Sequence, residues 1–192
     1  MASRTTRTGW EEIRVEEPSY EITTPRLRLR ALSLAESRLA MSGDQATLGA
    51  QIGAHVPAVW PGPDLTRSLP TIITEMERLA HDERWLWVVI ERATETVIGD
   101  IGFHGPVTGT HTVELGYLIL PEAQGQGYAT EAALALRDWT AGRPGVERVI
   151  VRIAHANTAS LRVAAKLQMR EVVSVEPLYR RFEWRTRDAR LP

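Results

Sequence analysis

A chain of 192 residues with 43% hydrophobic content and a net charge of −1 is long enough to pack a core and has no global attraction to nucleic acid or an anionic membrane. It contains no cysteine, which excludes disulfides, thiolate metal sites and a covalent thioester on the protein. No apolar run approaches the roughly 18 residues of a membrane helix, and the start MASRTTRTGW lacks the apolar region of a secretory signal, so the expected location is the cytoplasm.

In chain order, residues 1–20 read as a flexible polar arm, with Trp10 available to pin it. Glu21 to Leu32 alternates Leu27 and Leu29 with Arg28 and Arg30, predicting an edge strand whose arginines face solvent. Ser33 and Glu36 have capping-box spacing at the start of a helix running toward Leu48 and Ile52, with a break near Gly43. His55 to Pro63 is a proline-rich loop around Trp60. Asp64 or Thr66 starts an amphipathic helix with Leu65, Leu69, Ile72, Ile73, Met76 and Leu79 on one stripe, although Pro70 allows a start at or after Ser68 instead. Trp85–Ile90 and Val97–Phe103 make a hairpin, and Gly105 to Gly109 turns the chain into the next strand.

That strand opens the most informative stretch, Val113 to Gly142. Val113, Leu115, Tyr117 and Ile119 alternate with Glu114, Gly116, Leu118 and Leu120, a period of two that fits a strand apolar on both faces except at Glu114 and Gly116. Pro121 ends it. Gln124-Gly125-Gln126-Gly127-Tyr128-Ala129 follows, immediately before Thr130 to Thr140, a run of helix formers. Amides of a first helical turn have no intrahelical partner and favour an anion such as a phosphate. A strand over Val149–Ile153, a helix after Asn157 and a final pair over Glu171–Val175 and Tyr179–Trp184 complete the chain. The alternation predicts an α/β (α+β) fold, a mixed and largely antiparallel sheet flanked by helices on both faces, in one domain over residues 21–187 with a tail at 188–192.

Two nucleotide-binding readings compete for the loop. Gly125-x-Gly127-x-x-Thr130 is one residue from the dinucleotide fingerprint, but Glu147 precedes the following strand where a ribose-binding acid should come after one, and no Gly-Lys-Ser/Thr makes a P-loop. The other reading is a pyrophosphate loop of the form Gln/Arg-x-x-Gly-x-Gly/Ala, matched by Gln124-x-x-Gly127-x-Ala129. With it, the segment from His155 through Asn157 and Ser160 to Lys166-Leu167-Gln168-Met169 resembles the GCN5-related N-acetyltransferases, in particular the RimJ/RimL-like branch, over roughly residues 24 to 186. Gln168 and Met169 stand where that family has Gly and Phe, which puts the shape of the turn after the helix in question, although Met can fill an aromatic's space.

The resemblance implies an N-acetyltransferase that moves an acetyl group from acetyl-CoA to a primary amine by direct transfer in a ternary complex. Protein N-termini and small-molecule amines are both acceptors in that family. A non-catalytic acyl-CoA-binding or sensing module is the alternative. The resemblance also implies a bulged central strand that splays from its parallel neighbour. Main-chain groups of Leu118, Ile119 and Leu120 would then hold the pantetheine arm, residues Gln124, Gly125, Gln126, Gly127, Tyr128, Ala129 and Thr130 the pyrophosphate, and Asn157 the pantetheine amides. Glu114, the one acid on the central strand, is the candidate base. Ser160 takes the hydroxyl position that would protonate or hold the leaving thiolate, and the oxyanion falls to an amide near Leu118 or Ile119.

Trp60, His104 and His111 are candidates for the acceptor pocket, and Asp64 with Glu176 for attracting a cationic amine. The five histidines show no metal-binding spacing, so no metal is expected. Trp85 and Trp87 lack the basic surroundings of a nucleic-acid platform. Neither nucleic acid nor membrane is an expected partner. A homodimer pairing Tyr179–Trp184 between subunits is implied by the resemblance.

Overall fold

The computed structural model describes residues 20–78, 86–104, 111–143 and 145–186. Residues 1–19 of the expected arm with Trp10, the expected tail, Leu79, His81, Trp85 and the turn at 105–109 lie outside these residues. An eight-stranded sheet has the order β1-β2-β3-β4-β5-β6-β8-β7.

The segment read as one edge strand is a hairpin of β1 (Glu21–Thr23) and β2 (Leu27–Ala31). The edge is β1. Arg28 and Arg30 do not simply face solvent: Arg28 bonds the Ile52 and Gly53 carbonyls and Glu95, and Arg30 pairs with Glu36 at 2.7 Å. Each guanidinium thus ties the sheet to a helix end. Ser33 caps α1 (Leu34–Ser42) in a complete capping box with Glu36. Gly43, at φ 76°, ends α1, and Asp44 caps α2 (Gln45–Ile52). The amphipathic helix α3 (Pro63–Arg78) begins at its proline and runs through Pro70, earlier than that second proline suggested.

Strands β3 (Leu86–Glu91) and β4 (Thr96–Phe103) form the expected hairpin, followed by β5 (Thr112–Ile119). A short 3-10 turn over Pro121–Ala123 leads to the glycine loop and α4 (Tyr128–Ala141). Then come β6 (Arg148–Ala154), α5 (Thr158–Lys166), β7 (Arg170–Val172) and β8 (Tyr179–Arg185). Gln168 adopts φ 57°, the left-handed conformation a glycine would take, and Met169 is buried in the core. The substitution in the tetrad therefore leaves a glycine-like turn in place.

Alternation along β3 divides the core between the two faces. Trp87 and Val89 point toward α4 and α5, and Leu86, Val88 and Ile90 toward α1, α2 and α3. Both faces are covered. Strand β8 lies between β6 and β7, and its residues Arg181, Phe182 and Glu183 pair on both sides, so that stretch is no free edge for the expected strand pairing between subunits.

Candidate active site

The parallel strands β5 and β6 pair only at Thr112↔Arg148, Val113↔Val149 and Glu114↔Ile150. Beyond Glu114 they diverge. β5 continues against β4 as far as Ile119, and β6 continues against β8 as far as Ala154. The expected splay is present. The expected bulge is not on β5, whose register with β4 is unbroken from Leu115 to Ile119; the shift lies between β3 and β4 at Val89/Ile90.

Ladder geometry decides which backbone groups reach the gap. The His104 amide donates to the Glu114 carbonyl and the Leu120 amide to the Ile98 carbonyl. Even-numbered residues of β5 therefore spend their polar groups on β4, and those of Tyr117 and Ile119 face the gap. This corrects two expectations: the amides of Leu118 and Leu120 are committed to the sheet. Ile119 is the residue of that trio whose backbone faces the cleft, and its carbonyl accepts from the Gln124 side chain at 2.8 Å.

The gap opens into a cleft of about 520 Å³ lined by Leu118, Ile119, Gln124, Gly125, Gly127, Tyr128, Ala129, Thr130, Asn157 and Ser160. Gly125 and Gly127 stand at φ 78° and 86°, where a side chain would be strained; space is open at Gly125, and a Cβ at Gly127 would meet Arg26 Nη2 at 3.6 Å. Gly127 begins α4 with no side-chain cap, leaving the first-turn amides to a ligand. Arg162 and Lys166 of α5 also line the cleft and add positive charge. Pattern reading passed over both, because only the packing of α5 shows which face they occupy.

Gln126 turns its carbonyl to Arg26 Nη1 at 2.9 Å. Arg26 also binds Glu131 through its side chain and amide, and its guanidinium lies 4.5 Å from the Tyr128 ring centroid. The Tyr128 hydroxyl donates to Glu91. This bond, with one from Thr94, holds the Glu91 carboxyl below the usual range. The glycine loop is thus fastened to β2 and β3 by residues remote in sequence.

Asn157 Oδ1 accepts from the Ser160 amide at 3.0 Å, so Asn157 caps α5 while lining the cleft. Tyr117 lines the cleft with Ser160, and burial raises its hydroxyl above its ordinary pKa, an effect that the Ser160 side chain partly offsets. A tyrosine of β5 thus shares the cleft wall with Ser160 of α5.

A second cavity, about 160 Å³, adjoins the cleft on the α3 side. Asp64, Tyr117 and Leu118 line both. Leu65, Ser68, Ile72, Asp100, Ile101, Phe103, His104 and Gly116 complete most of its wall. The His104 ring lies over Gly116, where an added Cβ would fall 2.3 Å from Nε2.

The other acceptor-side candidates sit elsewhere. Trp60 is fully buried and meets the cavity through Asp100, whose Oδ2 accepts from Trp60 Nε1 at 3.0 Å. His111 Nδ1 lies 2.9 Å from the Gly145 carbonyl, fastening the start of β5 to the loop before β6. Glu114 and Glu176 both bind Arg152, at 2.8 and 2.7 Å. Those bonds, Glu114's first, raise the Arg152 pKa.

A glycine loop at a helix start beside a splayed parallel strand pair defines the acetyltransferase class. A family model described as "Acetyltransferase (GNAT) domain" matches residues 26–170, and the chain belongs to that family. It is 24% identical over 150 residues to the uncharacterized N-acetyltransferase YjdG of Bacillus subtilis (strain 168), covering 76% of this chain and 87% of YjdG. Its fold is similar to that of RimL, a ribosomal alpha-N-protein acetyltransferase in complex with coenzyme A (TM-score 0.60, 16% identity, 86% of this chain and 98% of that one). It is also similar to a spermidine N-acetyltransferase SpeG chimera from Vibrio cholerae and hSSAT (TM-score 0.58, 16% identity, 85% and 97%).

Among the described residues no helix is long and apolar enough to cross a membrane, and no group of His, Asp and Glu is placed to hold a metal ion.

Proposed function

We propose that the chain transfers an acetyl group from acetyl-CoA to a primary amine by direct transfer in a ternary complex. The observation that carries this reading is the divergence of β5 from β6 after Glu114, which exposes the backbone of Tyr117 and Ile119 to a cleft that ends at the α4 amides.

The residues present fit the cosubstrate. Amides from Gly125 to Thr130, with Arg162 and Lys166, suit a pyrophosphate and a further phosphate. The backbone of Tyr117 and Ile119 suits an amide-bearing arm pairing as an added strand, with Asn157 across the gap. When bound, acetyl-CoA supplies an activated acyl group on sulfur. The amide facing the gap at Tyr117 or Ile119 is placed to stabilise negative charge on the acyl oxygen. Tyr117, which lines the cleft with Ser160, holds a proton and can pass it to a departing thiolate of pKa about 8.5. Glu114 and Glu176 hold Arg152 between them.

The acceptor enters from the α3 side through the cavity that adjoins the cleft. Both structural neighbours described above are named for acetylation of amines, one on a protein and one on spermidine.

Calorimetric titration with acetyl-CoA, CoA and NAD in parallel tests the reading, followed by thiol release against a panel of amines. The cysteine-free chain gives a thiol reagent no background. Acetyl-CoA binding without NAD binding is the expected result, and failure to bind acetyl-CoA overturns it.

A further inference from the structure

Of the buried acids among the described residues, Glu36 and Glu183 are each paired with an arginine, and Asp100 is not. It is 8% exposed, lies on β4 directly opposite Leu118, and lines the cavity beside the cofactor cleft. Among the described residues Trp60 Nε1 is the one side chain that donates to this carboxylate. A carboxylate has about four acceptor sites, and one buried with a single donor is in need of another. The cavity supplies the space: apolar walls of Leu65, Ile72, Ile101 and Leu118, with Asp64 at the junction with the cleft. Two acids on a largely apolar wall suit a cation with a hydrocarbon stem.

We propose that Asp100 receives the ammonium group of the acceptor and takes its proton, and that the acceptor is a primary alkylamine entering between Asp64 and Asp100. This inference rests on the acetyltransferase reading above and names its base and acceptor class. The proton moves from the ammonium nitrogen to an Asp100 oxygen, freeing the nitrogen lone pair. As the new N–C bond forms and the C–S bond breaks, the second nitrogen proton ends on sulfur directly or through Tyr117, and Asp100 returns its proton to solvent.

Position favours Asp100 over Glu114. Leu118 lines both the cleft and the cavity, and Asp100 is its cross-strand partner. Glu114 is four residues back along β5, about 13 Å at strand rise, and binds Arg152. Proton affinity agrees. Burial pushes the Asp100 carboxyl up from 3.8 to about 7, with the Trp60 hydrogen bond lowering it and the Asp64 charge raising it. Proton transfer from an ammonium is then roughly 10³-fold less uphill than to an ordinary aspartate. The other groups around the carboxylate are His104 of β4, Ser68 of α3 and Tyr117 of β5, while β3 contributes the apolar Leu86.

The test uses n-butylamine, with n-butanol as its neutral control. In the protein without cosubstrate, the Asp100 carboxyl carbon, followed by NMR, is expected to titrate near pH 7 and to shift with butylamine but not butanol. With acetyl-CoA, kcat/KM for butylamine should rise through a limb at the same pH. Asp100→Asn should remove the limb and lower kcat/KM by about 10²-fold or more while binding acetyl-CoA as the parent does, which also shows that it folds. Trp60→Phe keeps the carboxylate and removes its donor, so the limb should move to higher pH. Glu114→Gln should leave the limb in place. A carboxyl signal indifferent to butylamine, an Asp100→Asn variant with parental kcat/KM, or a limb lost with Glu114 overturns the proposal. Failure of acetyl-CoA to bind would instead overturn the reading beneath it, and the carboxyl titration with butylamine would still decide whether this is an ammonium site.

Discussion

Asp100 bears a folding cost that is set by pH. Its carboxyl is raised to about 7 in the folded protein, by burial first, so between roughly pH 4 and 7 the native state holds a proton that the unfolded state has released. Stability therefore falls as pH rises through that window and levels off above it. Asp100→Asn keeps an acceptor for Trp60 and removes the ionisation. Its stability relative to the parent is expected to increase from pH 5 to pH 8, by ~1–3 kcal/mol, as read from urea midpoints. A pH-independent difference would show that the carboxyl does not titrate there. Tyr117 gives a second residue-scale prediction. Tyr117→Phe removes a hydroxyl from the cleft wall that Ser160 shares and should lower kcat roughly tenfold or more with acetyl-CoA affinity unchanged. Equal kcat would assign thiol protonation to solvent.

At the scale of elements, two junctions hold more than their motifs declare. The turn after α5 places Gln168 at φ 57°, where a side chain costs about 1–2 kcal/mol relative to glycine's freedom. Gln168→Gly should raise stability by ~0.5–1 kcal/mol after the added unfolded-chain entropy, measured by thermal or urea unfolding. The second junction is the glycine loop. Its order comes from Arg26, which bonds Gln126 and Glu131 and stacks on Tyr128. Arg26→Met should weaken acetyl-CoA binding about tenfold while leaving the amine KM near its parent value, because Arg26 touches no part of the acceptor cavity. An unchanged acetyl-CoA affinity would mean that the loop keeps its shape without this anchor.

At the scale of the whole molecule, two spaces adjoin on one sheet. Cleft and cavity meet at Asp64, Tyr117 and Leu118, so a bulky residue on the α3 side should affect the amine alone. Ser68→Trp is expected to raise the amine KM by about tenfold or more with acetyl-CoA affinity retained, since the ring would take a large part of a small cavity. Parallel losses in both would show that the two spaces are one. Much of this architecture was legible along the chain. The capping box of α1, the hairpin of β3 and β4, and the strand, loop and helix from β5 to α4 rest on contacts between near neighbours, which spacing reveals. The glycines at 125 and 127 announced an anion cradle because helix-start amides need no distant partner to attract phosphate. Tyr117 against Ser160, Asp100 beneath Trp60, Arg26 across the loop and Lys166 in the cleft were not legible. Each depends on which strand lies beside which, and on where β5 and β6 part. Sequence by itself determined the element order and the loop chemistry, both local in cause. Tertiary structure alone decided that Asp100 and Asp64 line the cavity beside the cleft, because burial and cross-strand registry join residues that no spacing along the chain brings together.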